Sequence, residues 1–240
     1  MNKLLSTLFA LSVACATGLA QAQAPAAQAP AAGTPEAAAA SAARPTPAGA
    51  KSIEAKAAMC IGCHGIVGYQ ASFPEVHKVP KISGQSARYI AAALNAYKTG
   101  DRKHPTMRGI AESLTEQDIN DIAAWYESHG AGKQVAQKPS REPSPQIAAL
   151  LQKAACASCH GANFASPIDP SYPKIAGQHA DYLFVALKAY KTENNPTVGR
   201  NNGVMGAIVK QYSNAELKAL ANYMAGLESE LTIKPEPRFR

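Results

Sequence analysis

The chain has 240 residues and carries 24 lysine and arginine residues against 17 aspartate and glutamate residues, a formal net charge of +7. No run exceeds two consecutive basic residues, so the charge does not predict a nucleic-acid partner, which needs basic residues gathered on one face. Hydrophobic residues make up 46% of the chain but aromatic residues only 6%, so we expect something other than aromatic side chains to fill part of the interior. Beyond the N-terminus, no stretch approaches the ~18 apolar residues of a membrane span.

The N-terminal segment, residues 1–22, has the pattern of a secretory signal peptide. Lys3 precedes an apolar run at 4–19, and a small-residue Ala-x-Ala step ends at Ala22. This pattern predicts export, with cleavage after Ala22 and a bacterial periplasm as the location of the mature protein. Acylation at Cys15 and retention of the segment as a membrane anchor are the alternatives.

Residues 23–48 consist almost entirely of alanine, proline, glutamine, glycine, serine and threonine. Such a segment has little apolar surface to bury, and its prolines interrupt helices, so we predict a disordered leader.

The remainder of the chain is an internal repeat. The segment CIGCHG at Cys60 recurs as CASCHG at Cys156, and residues 79–100 recur as 172–193. Two homologous domains are therefore predicted, joined by a linker with three prolines and followed by a short tail. The predicted ranges are 49–132 for the first domain, 133–145 for the linker, 146–232 for the second domain and 233–240 for the tail.

Each domain is predicted to have three helices separated by long loops, in an all-α class. The first helix begins near Ser52 in one copy and after the N-cap Ser144 in the other, where Pro145 takes the first helical position. The last helix begins at Thr115 or Ser213, each followed three residues later by an acidic residue, as in a capping box. Three short helices enclose little core, and a bound apolar cofactor would complete it.

Both copies contain C-x-x-C-H, the attachment motif of c-type haem. Two thiols one helical turn apart reach the two vinyl groups of a haem, and the adjacent histidine then faces the iron. A zinc site would have to pool four cysteines from two domains 96 residues apart in sequence, and a redox dithiol would need the alternating strands and helices of a thioredoxin-like fold, which the sequence does not predict. Two copies at equivalent places of an exported repeat favour haem. We predict two covalently bound haem c groups. Their thioether residues are Cys60, Cys63, Cys156 and Cys159, and their histidine ligands are His64 and His160.

The second axial ligand is predicted to be a methionine in a loop. Met107 lies 43 residues after His64, and Met205 lies 45 residues after His160. Other candidates in the first domain are His77, His104 and His129. None of these three has a counterpart in the second copy, whereas the methionines match. His/Met ligation leaves no open iron position, which favours electron transfer over binding of O2 or peroxide.

Taken together, the two C-x-x-C-H motifs, the paired Pro-Lys-Ile-x-Gly-Gln segments at 80–85 and 173–178, and the two methionines resemble the dihaem cytochromes c4. That family has two tandem class I cytochrome c domains, each a few helices around one haem. The resemblance covers about residues 50–230. It implies that the carbonyl oxygens of Pro80 and Pro173 accept the Nδ1 protons of the two ligand histidines and tune their basicity.

The resemblance also implies an electron carrier rather than an enzyme, sometimes associated with the membrane surface. Its expected partners are redox proteins, with a terminal oxidase as acceptor and a quinol-oxidising complex or another cytochrome as donor. Two other functions stay open, a dihaem peroxidase type of catalyst and the cytochrome subunit of a dehydrogenase. Basic residues near the first methionine either guide an acidic partner or belong to a solvated loop. They are Lys98, Arg102, Lys103 and Arg108.

Overall fold

The computed structural model describes residues 51–235 of the chain. The predicted signal peptide and leader lie outside the described residues, as do the first two residues of the predicted first domain and the end of the predicted tail. Within 51–235, no helix has the length and apolar character that crossing a membrane requires.

The first domain contains four helices. They are α1 (Ile53–His64), α2 (Ala87–Thr99), α3 (Pro105–Glu112) and α4 (Glu116–Ser128). The predicted start of α1 is confirmed, because the Ser52 side chain accepts a hydrogen bond from the backbone of Ala55. Helix α1 continues without a break through the first C-x-x-C-H motif.

The second domain contains five helices. They are α5 (Pro145–Lys153), α6 (Ala157–His160), α7 (Ala180–Ala189), α8 (Gly203–Lys210) and α9 (Asn214–Ala225). Ser144 is the N-cap of α5, as predicted. The helix before the second motif is interrupted between α5 and α6, where Ala155 has a positive φ of 47°.

The expectation of three helices per domain is wrong, and so is the placement of the two methionines in loops, because the described residues form four helices in the first domain and five in the second. Met107 and Met205 each occupy the third position of a short helix, α3 or α8. The local signals are an N-cap followed by a helix start, His104 with Pro105 in one domain and Asn202 in the other. Histidine is a weaker N-cap signal than serine or threonine, which hides the first of these starts in the sequence.

The core of each domain lies between its middle helix and its last helix. In the first domain α2 packs against α4, and Ile90, Leu94, Ile119 and Ile122 are buried there. In the second domain α9 packs against both α5 and α7.

Four two-residue strands accompany the helices in the described part of the chain. Strand β1 (Gln70–Ala71) pairs antiparallel with β2 (His77–Lys78) inside the first domain. Strand β3 (Arg102–Lys103) pairs antiparallel with β4 (Gly199–Arg200), so the second ladder joins the two domains. The all-α class is confirmed, because such short pairings only connect the helices.

The predicted linker runs along the second domain. The carbonyl oxygen of Ala136 accepts a hydrogen bond from the Asn163 side chain at 2.8 Å. The Arg141 guanidinium lies 5.3 Å from the centre of the Tyr223 ring and donates to the Tyr223 carbonyl at 3.2 Å. The exact domain boundaries stay a prediction.

The predicted capping boxes at the starts of α4 and α9 are confirmed. The Thr115 hydroxyl accepts from the Asp118 backbone N–H at 3.1 Å, and the Asp118 carboxylate accepts from the Thr115 backbone N–H at 3.1 Å. Ser213 and Glu216 make the same exchange at α9. Each box satisfies backbone donors that a helix start otherwise leaves unpaired.

We expect Thr115→Ala to lower the free energy of unfolding of the haem-loaded protein by about 1 kcal/mol, because the first turn of α4 loses its cap. Urea unfolding followed by far-ultraviolet circular dichroism measures this change. Thr115→Ser keeps the hydroxyl and should retain most of the stability. Equal losses in the two variants would contradict the role of the hydroxyl.

Candidate haem sites

The attachment residues of the first domain lie on the last turns of α1, at the wall of a partly open cavity that residues of the second domain such as Tyr182 also line. This cavity has a volume of about 390 Å³ and includes Cys60, Cys63 and His64 in its lining. Burial raises the pKa of the Cys60 thiol to about 11, so this sulfur lies in an apolar setting. The same effect of burial raises the pKa of Cys156 in the second domain.

Both motif histidines are held by a proline carbonyl. His64 Nδ1 donates to the Pro80 carbonyl oxygen at 2.8 Å, and His160 Nδ1 donates to that of Pro173 at 3.0 Å. A carbonyl can only accept, so the proton lies on Nδ1 and the Nε2 lone pair is available to a metal. Burial lowers the pKa of both histidines, which favours the neutral imidazole that binds iron.

The cavity of the first domain brings Met107 and His64 into one lining. Met107 enters it from α3, whereas His64 enters from α1, and apolar side chains such as Ile122 and Leu94 lie around them. This placement would suit a flat apolar group whose metal is held by one side chain from each of two elements. The assignment of Met107 and Met205 as iron ligands stays a prediction.

The three histidines that were alternative candidates for the second iron ligand each form a hydrogen bond to the backbone. His104 lines the cavity but its Nδ1 accepts from the Met107 backbone N–H at 3.4 Å, which makes it the cap of α3. His77, also in the lining, donates through Nδ1 to the Glu75 carbonyl at 2.8 Å. His129 bonds the carbonyl of Trp125 at 2.6 Å and is not part of the cavity wall.

The second domain holds its methionine in the same way. The Asn202 side chain accepts from the Met205 backbone N–H at 2.9 Å, in the position that His104 has in the first domain. Met224 is buried, only 5% exposed, and packs in the core with Phe164 and Leu183. The sequence-based interpretation of Met224 as a core residue is thus consistent with its position.

Two partly buried arginines form a part of the site whose role the sequence analysis did not recognise. Arg102 and Arg200 lie opposite each other in the β3–β4 ladder. Four tyrosines surround them at matched positions, two in α2 and two in α7 or at its C-cap: Tyr89, Tyr97, Tyr182 and Tyr190. Both guanidinium groups donate to the Tyr182 hydroxyl, Arg102 at 3.4 Å and Arg200 at 3.0 Å.

The hypothesis that Arg102 guides an acidic partner stays a prediction, although its guanidinium is engaged at the domain interface by the Tyr89 and Tyr182 hydroxyls. Two of the other basic residues are also engaged, since Lys98 donates to the Leu114 carbonyl and Arg108 pairs with Glu112. The matched spacing was the available signal, because each of these two arginines precedes its methionine by five residues.

The arginine pair provides a test of whether the residues present fit a haem. Among residues 51–235, no carboxylate forms an ion pair with either guanidinium, and Arg102 Nε is buried without any hydrogen-bond partner. Burial would raise the pKa of Tyr182, but Arg200 and Arg102 together lower it to about 8, so the pocket favours an anion. Each haem carries two propionates, and Arg102 lines the cavity. The residues therefore fit haem, whose propionates would supply the missing negative charge.

A family model described as cytochrome c matches the chain twice, at residues 48–130 and 146–228. This chain belongs to the cytochrome c family. Each matched segment contains one C-x-x-C-H motif, so the protein carries two covalently bound haems.

Similar proteins include cytochromes c4 and an electron acceptor of a dehydrogenase. Cytochrome c4 of Pseudomonas aeruginosa is 30% identical over 180 residues, which cover 72% of this chain and 86% of the relative. The thiosulfate dehydrogenase electron acceptor of Stutzerimonas stutzeri is 29% identical, over 73% of this chain and 82% of the relative. The crystal structure of reduced recombinant cytochrome c4 from Pseudomonas stutzeri has a TM-score of 0.55 at 28% identity, covering 73% of this chain and 97% of that one. This member of the cytochrome c family is thus similar to the cytochromes c4 and works in electron transfer with redox proteins.

We expect Arg102→Gln to lower the reduction potential of at least one haem, because removal of a nearby positive charge stabilises the more positive ferric state. The expected change is on the order of 1 kcal/mol in the reduction free energy, or about 40 mV. Spectroelectrochemical titration measures both potentials. Arg108→Gln is the matched control, since this exposed arginine is paired with Glu112, and a shift as large as that of Arg102→Gln would contradict the prediction.

Proposed function

We propose that the protein is a periplasmic electron carrier that passes single electrons from a quinol-oxidising complex or another cytochrome to a terminal oxidase. The observation that carries the proposal is the shared cavity of His64 and Met107, which offers a nitrogen ligand and a sulfur ligand to one iron. When bound, each haem supplies an iron that gains and loses one electron.

The chain's own residues support transfer without bond chemistry. His64 and Met107 would hold the iron of one haem, and His160 and Met205 would hold that of the other. The Pro80 and Pro173 carbonyls fix the two imidazole rings. A closed ligand set leaves no position for O2 or peroxide, and a thioether ligand raises the reduction potential.

The periplasmic location rests on the signal-peptide pattern of residues 1–22 and on the paired C-x-x-C-H motifs. Association with the membrane surface is also proposed, and it rests only on the resemblance to cytochromes c4.

A second candidate function is that of electron acceptor for a dehydrogenase. The relative from Stutzerimonas stutzeri that is named a thiosulfate dehydrogenase electron acceptor favours this candidate, because it matches 73% of this chain. If the purified protein is reduced by a quinol-oxidising complex but not by a thiosulfate dehydrogenase, this second function is excluded. If it is reduced by the dehydrogenase but not by the quinol-oxidising complex, the dehydrogenase becomes the leading partner.

We expect the reduced parent protein not to bind carbon monoxide at neutral pH, because both irons have two protein ligands. Met107→Ala and Met205→Ala should each create one binding site per chain, measured as a carbon monoxide difference spectrum. Met224→Leu changes a buried methionine of α9 and should bind none. Stoichiometric binding by the parent would refute the carrier and favour a catalyst of the dihaem peroxidase type.

We expect protein purified from a periplasmic extract to lack residues 1–22 and to carry two thioether-bound haems. Intact mass spectrometry reports the cleavage, and a pyridine haemochrome spectrum reports the haem count. A mass that includes the signal segment would contradict the free periplasmic form, and it would favour an anchored one.

A further inference from the structure

The two domains exchange a pair of glutamine side chains across their interface. Gln85 belongs to the first domain and Gln178 to the second, at matched positions of the Pro-Lys-Ile-x-Gly-Gln segments. They are only 4% and 5% exposed. Each bonds the backbone of a lysine in the opposite domain: Gln178 bonds Lys81, and Gln85 bonds Lys174.

Each glutamine makes two hydrogen bonds to its lysine. Gln178 Oε1 accepts from the Lys81 N–H at 3.0 Å, and Gln178 Nε2 donates to the Lys81 carbonyl at 2.8 Å. Gln85 accepts from the Lys174 N–H and donates to the Lys174 carbonyl, both at 3.0 Å. Each Oε1 also accepts from the next N–H of its own chain segment, that of Ser86 or His179, which fixes the orientation of the amide.

The peptide group bonded by Gln178 is the one that holds His64. The Pro80 carbonyl and the Lys81 N–H belong to the same planar peptide unit. His64 Nδ1 donates to its oxygen at 2.8 Å while its N–H donates to Gln178 at 3.0 Å. The second domain repeats the arrangement, because His160 donates to the Pro173 carbonyl, whose peptide N–H donates to Gln85.

We propose that Gln85 and Gln178 are positioning residues, through which each domain controls the axial histidine of the opposite domain. A peptide that donates at its N–H is a stronger acceptor at its C=O, since hydrogen bonds in a chain polarise one another. Gln178 therefore makes the His64 imidazole more electron-rich and stabilises ferric iron in the first domain. Gln85 acts in the same way on His160. The proposal rests on the proposed ligation of iron by these two histidines.

The distinguishing consequence is a crossed effect on the two haems. Gln178→Met should raise the potential of the haem in the first domain, so that at a fixed ambient potential its ferrous-to-ferric ratio increases about two- to threefold. The ratio in the second domain should change less. Gln85→Met should do the reverse. Gln211→Met, at the exposed C-cap glutamine that follows α8, is the control and should shift neither.

An NMR-monitored redox titration of 15N-labelled protein separates the two haems through the His64 and His160 Nδ1–H resonances, assigned in the reduced state. In Gln178→Met the His64 resonance should move upfield, as a weaker hydrogen bond requires, while that of His160 stays. Equal shifts of both potentials, or a shift confined to the glutamine's own domain, would overturn the proposal and leave the glutamines as docking contacts.

Two further measurements keep the test decisive. In the reduced parent protein, a coupling through the hydrogen bond is expected between the Lys81 amide nitrogen and the Gln178 side-chain carbonyl carbon. Its absence would overturn the proposal even if the variants do not fold. Ring protons of His64 that lack a ring-current shift from haem would instead refute the proposed ligation, which separates failure of the function from failure of this inference.

Discussion

The hydrogen bond from each motif histidine to a proline carbonyl is the contact on which the arrangement of both sites depends. An imidazole that binds a metal must be held in one tautomer and one ring orientation, and the carbonyl imposes both. The carbonyl is itself fixed, because the following turn is tied to the last helix of its domain. Gly84 N–H donates to the Tyr126 carbonyl, and Gly177 N–H donates to the Met224 carbonyl, both at 2.8 Å.

Glycine is required in these two turns for two reasons. Gly84 and Gly177 have φ values of 85° and 69°, which other residues adopt only with strain. A Cβ at Gly84 would lie 2.6 Å from the Glu230 carbonyl oxygen, and one at Gly177 would lie 2.6 Å from the Ser229 Cβ. The close approach of the C-terminal segment to both turns thus depends on the absence of two side chains.

The two arginine charges at the domain interface make its stability depend on the bound haems. Desolvation of an ion costs several kcal/mol after relaxation, and the pair Arg102 and Arg200 brings two like charges together. Tyrosine hydroxyls accept hydrogen bonds from some of the guanidinium N–H groups. No carboxylate among the described residues forms an ion pair that balances the two positive charges. The interface seen here is therefore best matched to the haem-loaded protein, in which propionates balance the guanidinium groups. Cofactor attachment and domain docking should stabilise each other for this reason.

Local patterns in the sequence predicted those features whose physical cause is local. The N-caps at Ser52 and Ser144, the capping boxes and the C-x-x-C-H motifs involve residues within four positions of each other, and each lies where the pattern places it. The repeat predicted the two domains because it duplicates these signals. The short helices α3 and α8 were missed, since eight residues give little periodicity from which to recognise them.

The contacts between the domains could not be predicted in this way. Gln178 meets Lys81 across 97 residues of sequence, and no local pattern encodes such a contact. Matched positions in the two copies nevertheless contained a signal. Polar residues that recur at the same place in a repeat, such as Gln85 with Gln178 and Arg102 with Arg200, become symmetric partners when the copies dock face to face.

One difference in length between the two copies lies at the domain interface. The segment before Met205 is five residues longer than the segment before Met107, and the added length reaches the first domain. Its Asn195 carbonyl accepts from Lys103 Nζ at 2.6 Å, and the Asn201 N–H donates to the Asp101 carbonyl at 2.6 Å. These bonds join the two methionine segments directly. Because the segments that carry the proposed sulfur ligands and the turns that hold the imidazoles both cross the interface, a displacement of one domain would disturb both sides of each iron site at once.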